Sequence, residues 1–203
     1  MTRAHVVLRS AAAALRLAAA LAAIAVDGDA MGADIDAGRA KAQVCIACHG
    51  PEGIPIDPAT PSLAGQPQQF LVTALFMFRE GNRKNPLMTP LAANLSNADL
   101  NDLAAYFSAQ KATLPARASD PQKSAAGKQL TEKFNCVQCH GPALLGQQHI
   151  PRLAGQQPEY LRAQLRGFKS STRYDMDGMM TSAAQALSDE DIALLADYMS
   201  GMR

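Results

Sequence analysis

The segment Cys45-Ile46-Ala47-Cys48-His49-Gly50-Pro51 returns 91 residues later as Cys136-Val137-Gln138-Cys139-His140-Gly141-Pro142. Its neighbours return with it: Pro61-Ser62-Leu63-Ala64-Gly65-Gln66 recurs as Pro151-Arg152-Leu153-Ala154-Gly155-Gln156. Phe70-Leu71, Leu75, Phe78 and Arg83 match Tyr160-Leu161, Leu165, Phe168 and Arg173. Leu95-Ser96, Asp99, Leu103-Ala104 and Tyr106 match Leu187-Ser188, Asp191, Leu195-Ala196 and Tyr198. Across the set the offset drifts only between 90 and 92 residues, so the chain is a duplicated domain. The copies are expected over residues 31–110 and 124–203. Between them, 111–123 holds Lys111, Pro115, Arg117, Ser119, Pro121 and Lys123, a polar, Pro-punctuated stretch that reads as a linker.

Each copy reads as helical. Phe70, Leu71, Ala74, Leu75 and Phe78 share one helix face, and Gly81 stands where that helix should stop. The last helix of each copy opens with Ser96-x-x-Asp99 or Ser188-x-x-Asp191, a capping-box signature. Leu100, Leu103, Ala104 and Phe107, and likewise Ile192, Leu195, Ala196 and Met199, then recur at helical spacing. No stretch alternates as a strand.

A domain of this size, in a chain with no Trp and 5% aromatic residues, has little with which to fill a core. The two Cys-x-x-Cys-His segments suggest what fills it, since this is the signature of c-type haem attachment. Thiols three residues apart on one helical turn can both reach the vinyl groups at one porphyrin edge. The next residue, His, then lies under the iron as proximal ligand. A redox dithiol or half of a four-ligand zinc site would also use Cys-x-x-Cys. Against the dithiol, His follows directly in both copies and no thioredoxin-like strand-and-crossover pattern appears. Against zinc, the motifs belong to separate repeats, each with only its own Cys, Cys and His. All four Cys of the chain are used, Cys45, Cys48, Cys136 and Cys139. The expected cofactors are two covalently bound haem c groups with His49 and His140 on the irons.

Residues 1–30 read as an export leader. Arg3 and Arg9 make a basic start, Leu17 to Val26 is a short apolar stretch, and Arg16 interrupts the run. Ala-x-Ala is missing, so cleavage is expected after Ala30 or Ala33. An uncleaved anchor would need about 20 apolar residues. Cleavage after Ala30 removes three arginines and two aspartates and takes the formal charge from +1 to zero. A nearly balanced charge gives nucleic acid or an anionic membrane nothing to hold.

Counting narrows the sixth ligand. His5 lies in the leader, and His149 has no counterpart in the first copy, where Asp57-Pro58 stands instead, so it reads as a loop residue. Met is the natural alternative, a soft thioether that raises the haem potential. Met88 and Met180 stand seven residues before Leu95 and Leu187, in what reads as a loop ahead of the final helix. Met77 falls mid-helix and reads as core. Met179 competes with Met180, because it fits the offset counted from the haem motif; in extended backbone the two would point opposite ways, so only one can bind. A ligating His usually donates its other ring N–H to a carbonyl or carboxylate. Pro61 and Pro151, twelve and eleven residues after their His, are the best-placed carbonyls, though spacing alone fits plain loop residues equally. Arg83 and Arg173, just before the Met segments, suit either contact with haem propionates or simple solvation.

The doubled Cys-x-x-Cys-His-Gly, the Pro-x-Leu-Ala-Gly-Gln segments, the run Met-Thr-Pro-Leu-Ala-Ala-Asn-Leu-Ser from Met88 and Leu103-Ala104-Ala105-Tyr106 resemble the two-haem cytochrome c4 family. The resemblance covers nearly everything after the leader. It implies an all-α architecture of two tandem class I cytochrome c domains, each wrapped around one covalent haem with His/Met ligation and facing the other across a pseudo-twofold interface. It also implies that Pro61 and Pro151 accept the proximal His hydrogen bonds. The implied function is a periplasmic electron carrier, not an enzyme, between a quinol-oxidising complex and terminal oxidases. Similar chains serve as electron-accepting subunits of periplasmic dehydrogenases, including flavin-dependent sulfide dehydrogenases. Direct haem catalysis would require a vacant sixth position. One departure stands out: Gly38 lies seven residues before Cys45, whereas Gly127 lies nine before Cys136, and Gln43 stands where Phe134 does. The first helix of the first domain is therefore expected to be shorter or differently packed.

Overall fold

The computed structural model describes residues 32–112 and 120–202. The stretch read as an export leader, with His5 and the expected cleavage position at Ala30, lies outside the described residues, as does the linker segment 113–119; the other expected position, Ala33, is described.

The first domain runs through α1 (Ile35–Lys41), α2 (Gln43–His49), a 3-10 turn (Pro51–Gly53), α3 (Gln68–Arg79), α4 (Met88–Ala92) and α5 (Asn97–Ala109). The second repeats the order as α6 (Pro121–Lys133), α7 (Cys136–His140), α8 (Pro158–Lys169), α9 (Met179–Ala184) and α10 (Asp189–Gly201). Among the described residues β structure is limited to a single bridge between Gln147 and Ile150. No described helix is long and apolar enough to cross a membrane. Helix α6 begins inside the stretch read as linker, because Asp120 accepts from the N–H groups of Gln122 and Lys123 and Pro121 suits a first helical position.

The boundaries follow local chemistry. Helix α5 opens on a complete capping box: Asp99 N–H donates to Ser96 Oγ at 3.1 Å, and Ser96 N–H donates to Asp99 Oδ2 at 2.8 Å. Ser188 and Asp191 do the same for α10 at 3.0 and 2.8 Å. Helix α3 ends at Arg79, and Gly81 follows in the left-handed region at φ 72°, a backbone shape that costs glycine nothing. In the second copy Ser171 takes that place at φ 55°.

In each domain the first and last helices cross at a glycine. A Cβ on Gly38 would lie 2.1 Å from the Asp102 carbonyl oxygen, and one on Gly127 would lie 2.3 Å from Tyr198 Cβ. The first helix is indeed the shorter, 7 residues in α1 against 13 in α6, but it packs through the same contact. The difference in glycine–cysteine spacing is absorbed at the next junction. There α1 passes to α2 through a right-handed Ala42, whereas α6 passes to α7 through Asn135 in the left-handed region. The cores are small. Leu71, Leu103, Ala104 and Phe107 anchor the first, and Leu161, Phe168, Ile192, Leu195 and Met199 the second.

Lys41 Nζ sits 2.5 Å from Asp99 Oδ1 and ties α1 to the cap of α5. The Lys41 ammonium, helped by the Ser96 N–H, holds the Asp99 carboxyl down to about 2. A depressed carboxylate contributes stability above its unfolded value near 4 and loses it as pH falls through the folded value. Acid titration of the native protein from about pH 4 to pH 2 is therefore expected to loosen the first domain. Asp99→Asn should remove that part of the pH dependence in parallel denaturation curves, and high salt should shrink it because the pair is near the surface.

The domains dock through reciprocal hydrogen bonds. Neither α3 nor α8 has a side-chain N-cap, and each takes a carbonyl from the other domain instead. Phe70 N–H donates to Gln148 O at 3.0 Å, and Tyr160 N–H donates to Pro58 O at 3.1 Å. First-turn N–H groups that a helix cannot satisfy itself are thereby satisfied across the boundary.

Candidate functional site

Cys45 and Cys48 stand on α2 and His49 ends it; Cys136, Cys139 and His140 occupy the same places on α7. Gly50 and Gly141 follow at φ 78° and 81°, turning the chain sharply away after each His. The loop that comes back is pinned to this turn. In the first domain Leu63 N–H donates to Gly53 O at 2.8 Å, and in the second Leu153 N–H donates to Leu144 O at 2.8 Å. This brings Pro61 O to 2.9 Å from His49 Nδ1 and Pro151 O to 2.8 Å from His140 Nδ1. A carbonyl can only accept, so each Nδ1 carries the proton and each Nε2 has its lone pair free. Burial pushes both imidazoles below the usual histidine value, against the smaller opposing effect of the Pro carbonyl. Neutral imidazole with Nε2 open is the form that binds a metal.

No disulfide joins any of the four cysteines. Burial pushes Cys45 and Cys136 up from the ordinary thiol value. Burial of this kind does not activate a thiol. Among the described residues no three His, Cys, Asp or Glu side chains converge as a metal site, which leaves the zinc alternative without its other ligands. Cys48 and Cys139 are exposed and Cys45 and Cys136 half-buried, so each pair spans the rim of its domain's interior.

The methionines lie in short helices rather than in the loop read from the sequence. Met88 begins α4 and Met179-Met180 begin α9. The cause is a polar side chain three to five residues upstream. Asn85 Oδ1 accepts from the N–H groups of Leu87 and Met88, each at 2.9 Å. Asp175 accepts from Met180 N–H at 2.8 Å and Thr181 N–H at 3.1 Å. On a helix neighbouring side chains diverge by about 100°, so Met179 and Met180 still face different ways. Met180 packs against the second core, whereas Met179 is 60% exposed. Met88 is half-buried, and Met77 is buried on α3. His149 is half exposed, its Nε2 3.8 Å from Asp177 Oδ2 at the surface.

Arg83 and Arg173 are not solvated surface residues. Arg83 crosses the domain boundary and donates to Tyr160 Oη at 3.0 Å and Gln164 Oε1 at 2.9 Å. Arg173 donates to the same Gln164 oxygen at 2.5 Å. The two guanidiniums lie 4.5 and 4.3 Å from the ring centres of Phe78 and Phe168. Burial, with the Arg83 charge nearby, lowers Arg173 to about 10. Arg152 is a third, missed by the sequence reading: it is 5% exposed and donates from Nη2 to Ala64 O at 2.8 Å. The Nε atoms of Arg152 and Arg173 are buried with no partner. Among the described residues none of the three has a carboxylate within ion-pairing distance. Buried cations and orphaned N–H groups are costly unless an anion meets them. Haem propionates are such anions, and the donor set as a whole fits two haem c groups.

The sequence reading also missed Asn85 and Asp175, and the roles of Gln66 and Gln156. The glutamines had a signal, since both close the repeated Pro-x-Leu-Ala-Gly-Gln segment.

Comparison with known proteins gives a consistent picture. The family profile described as Cytochrome c matches residues 35–111 and 124–203. Cytochrome c4 of Thiocapsa roseopersicina is 39% identical over 181 residues, covering 83% of this chain and 93% of that protein. The thiosulfate dehydrogenase electron acceptor of Thiomonas intermedia is 34% identical over 172 residues, covering 79% of each. The crystal structure of reduced recombinant cytochrome c4 from Pseudomonas stutzeri superposes with a TM-score of 0.78 at 34% identity, covering 84% of this chain and 99% of that one.

Proposed function

The chain belongs to the two-haem cytochrome c4 family and is an electron carrier with two covalently bound haem c groups, and from that premise we propose that it works in the periplasm. There it passes single electrons from a quinol-oxidising complex to a terminal oxidase. Residues 1–30 are the leader that exports it, and 31–110 and 120–203 are its two redox domains, the second opening at the Asp120 cap of α6 rather than at 124. The observation that carries this reading is that one ligating arrangement occurs twice, each imidazole tied at Nδ1 and free at Nε2.

In this mechanism Cys45 and Cys48 would hold one haem by thioether bonds, and Cys136 and Cys139 the other. His49 with Met88, and His140 with Met180, are the residues that would hold the two irons. Each haem would supply a one-electron ferric–ferrous couple. The protein's part is to keep that couple's surroundings constant. Pro61 and Pro151 fix the imidazole tautomer and plane. Asn85 and Asp175 hold the backbone N–H of Met88 and Met180, so the thioethers need not move between oxidation states. Arg83, Arg152 and Arg173 offer positive charge at the domain boundary for the propionates, which keeps those anions from repelling each other.

The relative from Thiomonas intermedia supports a second reading, in which the chain is the electron-accepting subunit of a periplasmic dehydrogenase. A flavin-dependent sulfide dehydrogenase is one such enzyme. The two separate on gel filtration of the native protein from its source cells, with haem and flavin absorbance and thiosulfate-dependent haem reduction recorded on each fraction. A small haem-containing species with neither flavin nor thiosulfate activity is the expected result for the carrier. Haem travelling in a larger, salt-resistant peak with dehydrogenase activity would overturn it.

A further inference from the structure

Two buried glutamines join the domains in a pattern that packing alone does not require. Gln156, in the second domain, accepts from Ser62 N–H at 2.7 Å and donates from Nε2 to Ser62 O at 2.9 Å. Gln66, in the first, accepts from Arg152 N–H at 2.9 Å and donates from Nε2 to Arg152 O at 2.9 Å. Both glutamines, Ser62 and Arg152 are 2 to 5% exposed. Each carboxamide therefore lies against one residue's N–H and C=O as a neighbouring strand would, and this fixes which end of the amide is oxygen.

The residues clasped are the ones that follow Pro61 and Pro151. The Pro61 carbonyl and the Ser62 N–H belong to a single planar peptide unit. At one end of that unit the oxygen accepts from His49 Nδ1 at 2.9 Å, and at the opposite end the N–H donates to Gln156 of the other domain. The mirror chain runs from His140 through the Pro151–Arg152 peptide to Gln66. An N–H engaged by a strong acceptor polarises its peptide and makes the carbonyl a better acceptor, so the bonds in such a chain reinforce one another. A stronger bond at Nδ1 makes the imidazole a more basic ligand, which favours the ferric state.

We propose that Gln156 and Gln66 are cross-domain positioning residues, each setting the proximal histidine, and hence the reduction potential, of the haem in the domain it does not belong to. The proposal rests on His49 and His140 being the proximal ligands. It gives the interface a redox role: the potential of each haem depends on the partner domain remaining docked, and a disturbance of one domain's Pro-x-Leu-Ala-Gly-Gln turn is felt at the other domain's iron.

The test is made on the full haem-loaded chain by optical redox titration. Met88→His or Met180→His in the background moves one haem to much lower potential, so that the other is read alone. Gln156→Leu, which keeps the volume and removes both bonds to Ser62 together with the one Gln156 accepts from Gln157 N–H at 2.9 Å, should raise the midpoint of the first haem and leave the second unchanged. Gln66→Leu should raise the second and leave the first. A purely structural role would lower the denaturation midpoint without moving either potential. A shift confined to the haem of the mutated domain, equal shifts at both, or none would overturn the proposal. If the leucine variants do not fold, Gln156→Asn and Gln66→Asn withdraw the amide by one methylene and are read in the same way. Haem content and carbon monoxide binding of the unmutated protein report separately on the ligand reading beneath it.

Discussion

Met180→Ala is expected to turn the second haem from closed to open, so that the reduced variant takes up about one carbon monoxide per chain where the native protein takes none at neutral pH. The ferric variant should also lose the charge-transfer band of thioether ligation at that haem and gain high-spin character. Met179→Ala should leave both properties at native levels. The contrast follows from the two environments. Met180 packs on the second core and its N–H is held by Asp175, while Met179 points outward with its N–H held only by Asp177 at 3.2 Å. Carbon monoxide difference spectra on the two variants decide between the neighbours. Uptake by the Met179→Ala protein alone would reverse the assignment.

The other large effect concerns the helix crossings. Alanine in place of Gly127 or Gly38 would ordinarily stabilise a helix by about 1 kcal/mol. Here the added Cβ would lie 2.3 Å from Tyr198 Cβ and 2.9 Å from Leu194 O in one case, and 2.1 Å from Asp102 O in the other. The backbones must separate, which opens the helix pair that closes each domain. Net destabilisation of about 3 kcal/mol is expected for each variant, at the upper end of overpacking costs. Denaturant unfolding followed at the haem band checks it, and with Gly38→Ala the first domain should unfold ahead of the second. Unchanged or raised stability would show that the crossings have slack.

These contacts also show where sequence reading succeeds and where it stops. The capping boxes at Ser96 and Ser188, the stop at Gly81 and the shortened first helix were legible because each depends on residues a few positions apart. The haem motif was legible for the same reason, its two thiols and imidazole lying within five residues. The helical setting of Met88 and Met180 was not, because Asn85 and Asp175 begin α4 and α9 by side-chain acceptance that hydrophobic periodicity does not register. For Arg83 the sequence offered propionate contact or solvation and gave no sign of its protein partners, Tyr160 and Gln164, which lie 77 and 81 residues away in the other domain. In the first copy the corresponding positions are Phe70 and Ala74, so the repeat itself gave no hint of a polar partner there. Gln66 and Gln156 stood in a repeated motif, yet their bonds span 86 and 94 residues and exist only once the domains dock. Docking is set by surface shape and charge together, and neither is written at a fixed spacing along the chain.

That this chain is a carrier with two closed, one-electron centres is tested most directly by anaerobic reductive titration of the purified native protein, followed by exposure to carbon monoxide at neutral pH. About two electrons taken up per chain, two haems in the low-spin ferrous state and no carbon monoxide adduct at either are expected. A single electron per chain, or an adduct at either haem of the unmutated protein, would contradict it.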